Sequence, residues 1–211
     1  MSPISTPFVV CIAGGDASGK STQVAAVAKT LRDQGISTAE AGIWDALDDP
    51  VIAARLPFRD RDEVFGYLRV LRPSSRALFL FHAVQVAVEL AAAAAPEVIL
   101  LNAYWYKYFA TEVAHGGDPA ALRAHASGFA APDLTCYLKV SPGTALARKI
   151  ERSDYESGYG DAEKFLEFQQ QSQTVLDGLS RELGWHELDG TAEPGILTRT
   201  IAAAIPIGVA P

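Results

Sequence analysis

The chain has 211 residues, of which 49% are hydrophobic and 20% are charged, and its formal net charge is -7. This composition excludes an intrinsically disordered chain, and the length suits one domain with its own hydrophobic core. The acidic balance argues against nucleic acid, or an anionic membrane surface, as a partner.

Further features predict a cytoplasmic location. The two cysteines, Cys11 and Cys136, lie in apolar runs and are expected to be buried free thiols. No basic segment precedes an apolar core of signal length in the first residues, so no secretion signal is expected. The longest apolar stretch, 77–95, is interrupted by three polar side chains, which predicts a buried helix and no membrane span.

Along the chain, apolar runs alternate with helical segments. The predicted strands are 8–13, 36–40, 97–102, 132–140 and 185–189. The predicted helices are 21–34, 73–95, 142–151, 161–183 and 193–205. The charged segment 45–72 contains two prolines and predicts short helices, or a loop, beside the functional site. This order predicts one α/β domain, with a five-stranded parallel sheet and helices on both faces.

The stretch from Gly14 to Ser21 reads GGDASGKS and joins the first strand to the first helix. This is the phosphate-binding pattern GxxxxGK[ST] in its expected setting. Gly14 and Gly19 let the backbone wrap a phosphate chain, and the helix start adds its positive dipole end. Lys20 can neutralise the outer phosphates, and the Ser21 hydroxyl can ligate magnesium.

We therefore predict that the chain binds a nucleoside triphosphate, with ATP and Mg²⁺ as cofactors. The residues predicted to bind ATP are Gly14, Asp16, Ala17, Ser18, Gly19, Lys20, Ser21 and Thr22. The phosphate-binding pattern does not identify the reaction, so other parts of the sequence are needed for that. A GTPase would carry an NKxD motif, which is missing, and a motor or transporter ATPase would end its second apolar strand in an acid, where this chain has Asn102.

The chain resembles the thymidylate kinase family from residue 8 to about residue 205. Residues 13–21, AGGDASGKS, match the family loop EGxDGxGKT and keep its aspartate, Asp16. Residues 132–140, PDLTCYLKV, are close to the family's PDLTIYLDV. Weaker matches are 78–85 with LLFAADRAQH and 102–104 with DRY.

This resemblance implies a P-loop fold that transfers the γ-phosphate of ATP to a nucleoside monophosphate, ordinarily dTMP. Asp16 would face the acceptor sugar or the metal shell, and Phe79 would stack on the acceptor base. Arg148 and Arg152, in a lid segment around 148–160, would close over the donor phosphates and act with Lys20 as catalytic residues. The resemblance also implies a possible homodimer through the long apolar helix.

Three family arginines that would hold the acceptor are replaced here by Ala39, Ala83 and Ala103, and the DRY aspartate is Asn102. Each charged hydrogen bond is worth about 1.5–3 kcal/mol, so the loss of these arginines would strongly weaken the binding of an acceptor that carries a phosphate. Either other residues hold that phosphate, or the acceptor has none.

Replacements can come from Arg69, Arg72 and Arg76, which precede or open the long helix, or from the aromatic cluster 104–109, where Lys107 follows the carboxyl end of a strand. The same cluster can equally be core packing with one lysine reaching solvent. The predicted acceptor-binding residues are Asp16, Phe79, Asn102, Tyr104 and Lys107. Three interpretations stay open: a dTMP kinase with rearranged contacts, a kinase for an acceptor without a phosphate, and a non-catalytic nucleotide-binding protein.

Overall fold

The computed structural model describes residues 6–148, 155 and 162–206. Its strands are β1 (Phe8–Ala13), β2 (Thr38–Ala41), β3 (Val98–Asn102), β4 (Leu134–Lys139) and β5 (His186–Asp189). They form one five-stranded sheet in the order β2-β3-β1-β4-β5, and every pairing is parallel. The predicted α/β fold is confirmed, and it is consistent with the predicted P-loop fold.

The helices surround this sheet. They are α1 (Lys20–Asp33), α2 (Asp45–Asp48), α3 (Pro50–Ala53), α4 (Arg61–Val70), α5 (Pro73–Ala93), α6 (Tyr104–Ala114), α7 (Pro119–His125), α8 (Pro142–Arg148), α9 (Ala162–Leu183) and α10 (Pro194–Ala203). The sequence did not predict α6 and α7. The start of α6 is apolar on all sides, so it shows no helical alternation of polar and apolar positions.

The predicted short helices in segment 45–72 are confirmed. Asp49 caps α3 by accepting hydrogen bonds from the backbone N–H groups of Val51 and Ile52 at 3.0 and 2.9 Å. Asp60 caps α4 in the same way, through the N–H of Glu63 at 2.9 Å. The capped helices hold this segment beside the carboxyl ends of β2 and β3.

Each face of the sheet has its own core, because successive side chains of a strand point to opposite faces. Cys11 of β1 packs with α5 and α6 on one face, and Ile12 packs with α1 and α10 on the other. Cys136 lies in the second core, and both cysteines are buried free thiols, as predicted.

Among the described residues, α5 is the one helix long and apolar enough to cross a membrane. It packs against β2, β3, α2, α6 and α7, and 39% of its most apolar window is buried. One side of α5 therefore packs in the hydrophobic core, and its apolar residues are explained by that burial. The opposite side faces solvent and carries Leu78, which is 50% exposed.

Candidate active site

A cleft of about 920 Å³ opens at the carboxyl ends of the strands, with the P-loop at its centre. Ligands of open parallel sheets bind at this edge. Because β2 and β5 lie at opposite ends of the sheet, the cleft has two halves. The α4 half contains Trp44, Asp45, Asp48, Arg61, Phe65, Leu68, Leu80, Lys107, Tyr108 and Tyr155. The β5 half contains Arg148, Gly190, Thr191, Ala192, Glu193, Pro194 and Leu197.

The P-loop backbone is curled in the manner of an anion-binding nest. Gly14, Ala17 and Gly19 have φ angles of 154°, 54° and 95°. A Cβ at Gly14 would clash with the Ser18 hydroxyl and would lie 3.0 Å from the Leu138 carbonyl oxygen. Glycine is therefore required at position 14 by both conformation and space, and the loop folds tightly enough to surround a phosphate group.

Lys20 and Ser21, which were predicted to bind ATP and magnesium, both lie at this loop and line the cleft. Lys20 begins α1, is 8% exposed, and donates hydrogen bonds to the Gly15 carbonyl oxygen and, at 3.5 Å, to the Ser18 hydroxyl. Its ammonium group therefore lies over the loop. A phosphate bound in the loop would accept hydrogen bonds from this ammonium group in place of Gly15 and Ser18.

Asn102 at the end of β3 donates from its side-chain amide to the Ser21 hydroxyl at 3.0 Å. Ser21 and the amide oxygen of Asn102 fit a magnesium ion that takes most of its ligands from phosphate and water. Among the described residues, no cluster of three or more His, Cys, Asp or Glu side chains could hold a metal ion. The residues present therefore suit a metal that arrives with a nucleotide.

The structure brings Asp16 and Lys107 together in the α4 half. The ammonium group of Lys107 lies 2.5 Å from one Asp16 oxygen, and the Gln169 amide donates to the other at 3.3 Å. The two paired side chains are 15% and 8% exposed. A pair so removed from solvent keeps a fixed geometry, and its partners are costly to separate.

The aromatic cluster around Lys107 is mostly core. Tyr108 lines the cleft, but Tyr104, predicted to bind an acceptor, does not. The Tyr104 hydroxyl donates to the Ala130 carbonyl oxygen at 2.9 Å, and its ring packs edge-to-face on Phe129. Tyr104 is therefore a core residue, because α6 turns its side chain into the packing beside α7.

Phe79 also lies away from the cleft wall. The α5 residue that reaches the cleft is Leu80, one position and about 100° further around the helix. Phe79 packs edge-to-face on Phe58 and Tyr67. With Ala83 it lines a separate cavity of about 60 Å³ between residues 43–64 and α5, called here the apolar pocket.

Of the other two alanines that replace family arginines, Ala103 lines the cleft and Ala39 packs against the core in β2. Ala103 has φ 77° and is followed by Tyr104 with φ 54°. Two successive non-glycine residues with positive φ are strained, and such strain concentrates at functional sites.

In the β5 half, the Arg148 guanidinium donates to the Gly190 carbonyl oxygen at 3.0 Å and lines the cleft. Arg148 can therefore contact a donor nucleotide. Arg152 and most of the predicted lid, 149–154 and 156–160, lie outside the described residues, so their roles stay predictions.

Arg76, one of the cations predicted to replace the missing arginines, does not line the cleft but lies in a buried network under its α4 half. The other members of this network were missed at the sequence level. The Tyr155 hydroxyl donates to Glu112 at 2.8 Å, and the Arg76 Nε–H donates to both Glu112 oxygens at 2.8 and 2.9 Å. Glu112 is 0% exposed, and Tyr155 is a wall of the cleft. The sequence signal for this network was Glu112, an acidic residue among apolar positions of α6. A buried carboxylate needs a buried cation as its partner, so this residue predicts one.

A second missed feature is the stack of Arg61 on Trp44. The guanidinium lies 5.1 Å from the indole centroid, and Phe65 meets the same indole edge-to-face at 5.4 Å. Asp45, beside Trp44, accepts from the Gly42 N–H at 2.8 Å, and burial raises the pKa of its carboxyl group. The contacts of Arg61 and Phe65 with Trp44 join α4 to the segment that follows β2, so sequence spacing could not reveal them.

No protein-family model matches the sequence. The chain is similar to a thymidylate kinase of Jannaschia sp. (strain CCS1), with 29% identity over 213 residues that span 94% of this chain and 96% of that relative. The similarity extends over both halves of the cleft. Together with the P-loop kinase fold, it supports a nucleotide kinase.

Proposed function

We propose that this protein is an ATP- and magnesium-dependent phosphotransferase that phosphorylates dTMP or a related nucleotide. The observation that carries the proposal is one cleft with the P-loop at its centre, a β5 half that contains Arg148 and an α4 half built around Lys107 and Asp16. The similarity to a thymidylate kinase over almost the whole chain supports the same activity.

On the donor side, Lys20 and the P-loop amides hold the β- and γ-phosphates. Ser21 serves as a magnesium ligand, and Asn102 orients its hydroxyl through the 3.0 Å hydrogen bond. When bound with the nucleotide, magnesium would neutralise part of the negative charge of its phosphates. Arg148 contacts the donor in the β5 half, and it or Arg152 stabilises the charge of the transferred group.

On the acceptor side, Asp16 and Lys107 act as a pair. The Asp16 carboxylate accepts a hydrogen bond from an acceptor hydroxyl, while the Lys107 ammonium group contacts the acceptor's anionic group. Arg61, stacked on Trp44, is a second cation of the α4 half. Phosphoryl transfer depends mainly on positioning, so a rigid ion pair beside the P-loop suits it.

A kinase for an acceptor without a phosphate is the second candidate. It is favoured by Ala103 at the cleft and by the Asp16 contact of Lys107, which partly neutralises the lysine's charge. A neutral hydroxyl acceptor would need fewer cations in the α4 half than a nucleotide does.

The test is ATP consumption by the full chain with nucleoside monophosphates, with nucleosides, and with water alone. Turnover with dTMP supports the first proposal. Turnover confined to unphosphorylated acceptors replaces it with the second, and ATP binding without turnover on any member of the panel contradicts both.

A further inference from the structure

Gln23 is a buried polar side chain that lines the cleft and has no role in the transfer proposed above. It lies in the first turn of α1 and is 2% exposed. Its amide nitrogen donates to the Pro194 carbonyl oxygen at 3.1 Å, and its amide oxygen accepts from the Thr198 hydroxyl at 2.8 Å. The reverse orientation of the amide would set two oxygens against each other at Pro194. Both polar ends of Gln23 are therefore committed to α10.

This contact fixes one end of the loop 190–193, which joins β5 to α10 and lines the β5 half. The other end of the loop is held by β4 and β5. The Gly190 N–H donates to the Lys139 carbonyl oxygen at 2.9 Å, and the Thr191 N–H donates to the Asp189 carboxylate at 2.8 Å. These bonds set the position of the loop relative to the sheet, and the glutamine sets its position relative to α1, the helix that begins in the P-loop.

The loop and α10 present an apolar surface to the cleft. Ala192, Pro194 and Leu197 form this surface, called here the β5 wall, while Arg148 contacts Gly190 at the start of the loop. An apolar surface does not suit phosphate groups, which the P-loop holds, but it suits the flat face of a nucleobase. Because the α4 half is assigned to the acceptor, the nucleoside end of the donor extends the other way, and its base would pack on the β5 wall.

We propose that Gln23 is a positioning residue for the base of the donor nucleotide. By holding Pro194, it sets the distance between the P-loop, which binds the phosphates, and the β5 wall, which packs on the base. The inference rests on the proposed function, because it assumes a nucleoside triphosphate donor with its phosphates in the P-loop. It assigns to Gln23 a share of the affinity that comes from the nucleoside, and none of the affinity that comes from the phosphates.

The probes are the magnesium complexes of ATP and of methyl triphosphate, which carries the same triphosphate monoester without a nucleoside. Each is titrated into the full chain by calorimetry. Gln23→Met keeps the length of the side chain and removes both hydrogen bonds. It is expected to weaken ATP binding about tenfold, and to leave methyl triphosphate binding within about twofold of the wild type. The Pro194 carbonyl oxygen still accepts from the Thr198 hydroxyl at 2.9 Å, so the variant does not leave this oxygen unpaired.

Two further variants make the comparison specific. Thr198→Val removes the hydroxyl that bonds the Gln23 amide oxygen. It is expected to weaken ATP binding about threefold and to leave methyl triphosphate binding unchanged, and it carries the test if Gln23→Met does not fold. Gln34→Met replaces an exposed glutamine just beyond the end of α1 and is expected to change neither affinity.

A glutamine that only holds two helices together predicts a different result. Its loss would lower thermal stability, and the ratio of the two affinities would stay at the wild-type value. An unchanged ratio in Gln23→Met, or in Thr198→Val if the first variant does not fold, would overturn the inference. In the wild type, the main-chain N–H resonance of Ala192 is expected to shift with ATP and not with methyl triphosphate. An equal response to both ligands would overturn the inference without any variant.

The two ligands keep the inference apart from the proposed function. If ATP binds to the wild type and the ratio does not change in the variants, the inference fails while the proposed function stands. If neither ligand binds to the wild type, the proposed function fails, and the inference fails with it.

Discussion

Lys107 of α6 lies 2.5 Å from Asp16 of the P-loop, although 91 residues separate them along the chain. The contact links the residues that follow β1 with those that follow β3, two neighbouring strands of the sheet. It places one cation and one carboxylate side by side at the centre of the cleft, where an acceptor would meet the donor phosphates.

The variant Lys107→Met is expected to raise the acceptor KM about 10- to 100-fold, because it removes one charged hydrogen bond to the acceptor and takes the ammonium charge away from the Asp16 carboxylate. The affinity for magnesium-ATP is expected to change far less. Steady-state kinetics measure the first quantity and calorimetry the second. Lys29→Met, at a side chain 75% exposed on α1, is the control, and an unchanged acceptor KM in Lys107→Met would contradict the role given to this lysine.

The variant Lys20→Ala is expected to weaken magnesium-ATP binding at least about 100-fold and to leave the fold intact, since the side chain points over the P-loop and away from the core. Calorimetry and circular dichroism measure the two effects. Lys29→Ala is the control, because it removes a lysine from the same helix at a position that does not line the cleft. Unchanged ATP affinity in Lys20→Ala would remove the P-loop assignment.

The variant Asn102→Asp is expected to lower the magnesium concentration for half-maximal activity, by about tenfold. A carboxylate is a better ligand for this ion than a neutral amide, and position 102 lies beside the Ser21 hydroxyl. The comparison is a magnesium titration at saturating ATP. A half-maximal concentration equal to that of the wild type would show that the side chain at position 102 does not reach the metal.

Acid is expected to destabilise the fold through His115. This side chain packs against Phe168 at 4.5 Å between ring centroids, and burial, helped by Arg76, lowers the pKa of its imidazole from 6.5 to about 4. The unfolded chain therefore binds a proton that the folded chain excludes. Between pH 6.5 and pH 4 the free energy of unfolding falls with acidification, by at most about 1.4 kcal/mol per pH unit from this group.

Urea unfolding at pH 7, 6 and 5 measures that slope. His115→Gln is expected to flatten it, and His186→Gln, at an exposed position of β5, is expected to leave it as it is. The same slope in wild type and His115→Gln would mean that His115 does not titrate as described.

The exposed side of α5, which carries Leu78 among the polar side chains of His82, Gln85 and Glu89, is expected to form a homodimer interface. Leu78 is 50% exposed on this helix. Light scattering should give twice the chain mass of 22.5 kDa for the wild type and a single chain mass for Leu78→Glu. Val51→Glu, at a side chain 64% exposed on α3, is the control. A monomeric wild type at micromolar concentration would contradict the expectation.

The P-loop and the sheet were predictable because their signals are local. The pattern GxxxxGKS with a strand before it and a helix after it specifies the turn, and continuous apolar runs mark buried parallel strands. β2 was predicted at 36–40 and lies at Thr38–Ala41. Such shifts of one or two residues at element ends are ordinary, because end residues lack some of the ladder bonds that define the element.

The acceptor side was harder to predict because it depends on which face of a helix meets the cleft. A difference of one residue on α5 exchanges Phe79 for Leu80 at the cleft wall, and a motif match cannot resolve a rotation of about 100°. The contact of Tyr155 with Glu112 and the stack of Arg61 on Trp44 join distant segments, and no spacing rule records them.

The most direct test of the central claim is phosphorus NMR of the full chain with ATP, magnesium and dTMP. dTDP and ADP are expected to appear in equal amounts, and neither is expected to form with Lys20→Ala. ATP and dTMP that both remain unchanged over hours, or ADP that appears with inorganic phosphate and no dTDP, would contradict phosphoryl transfer to a thymidine nucleotide.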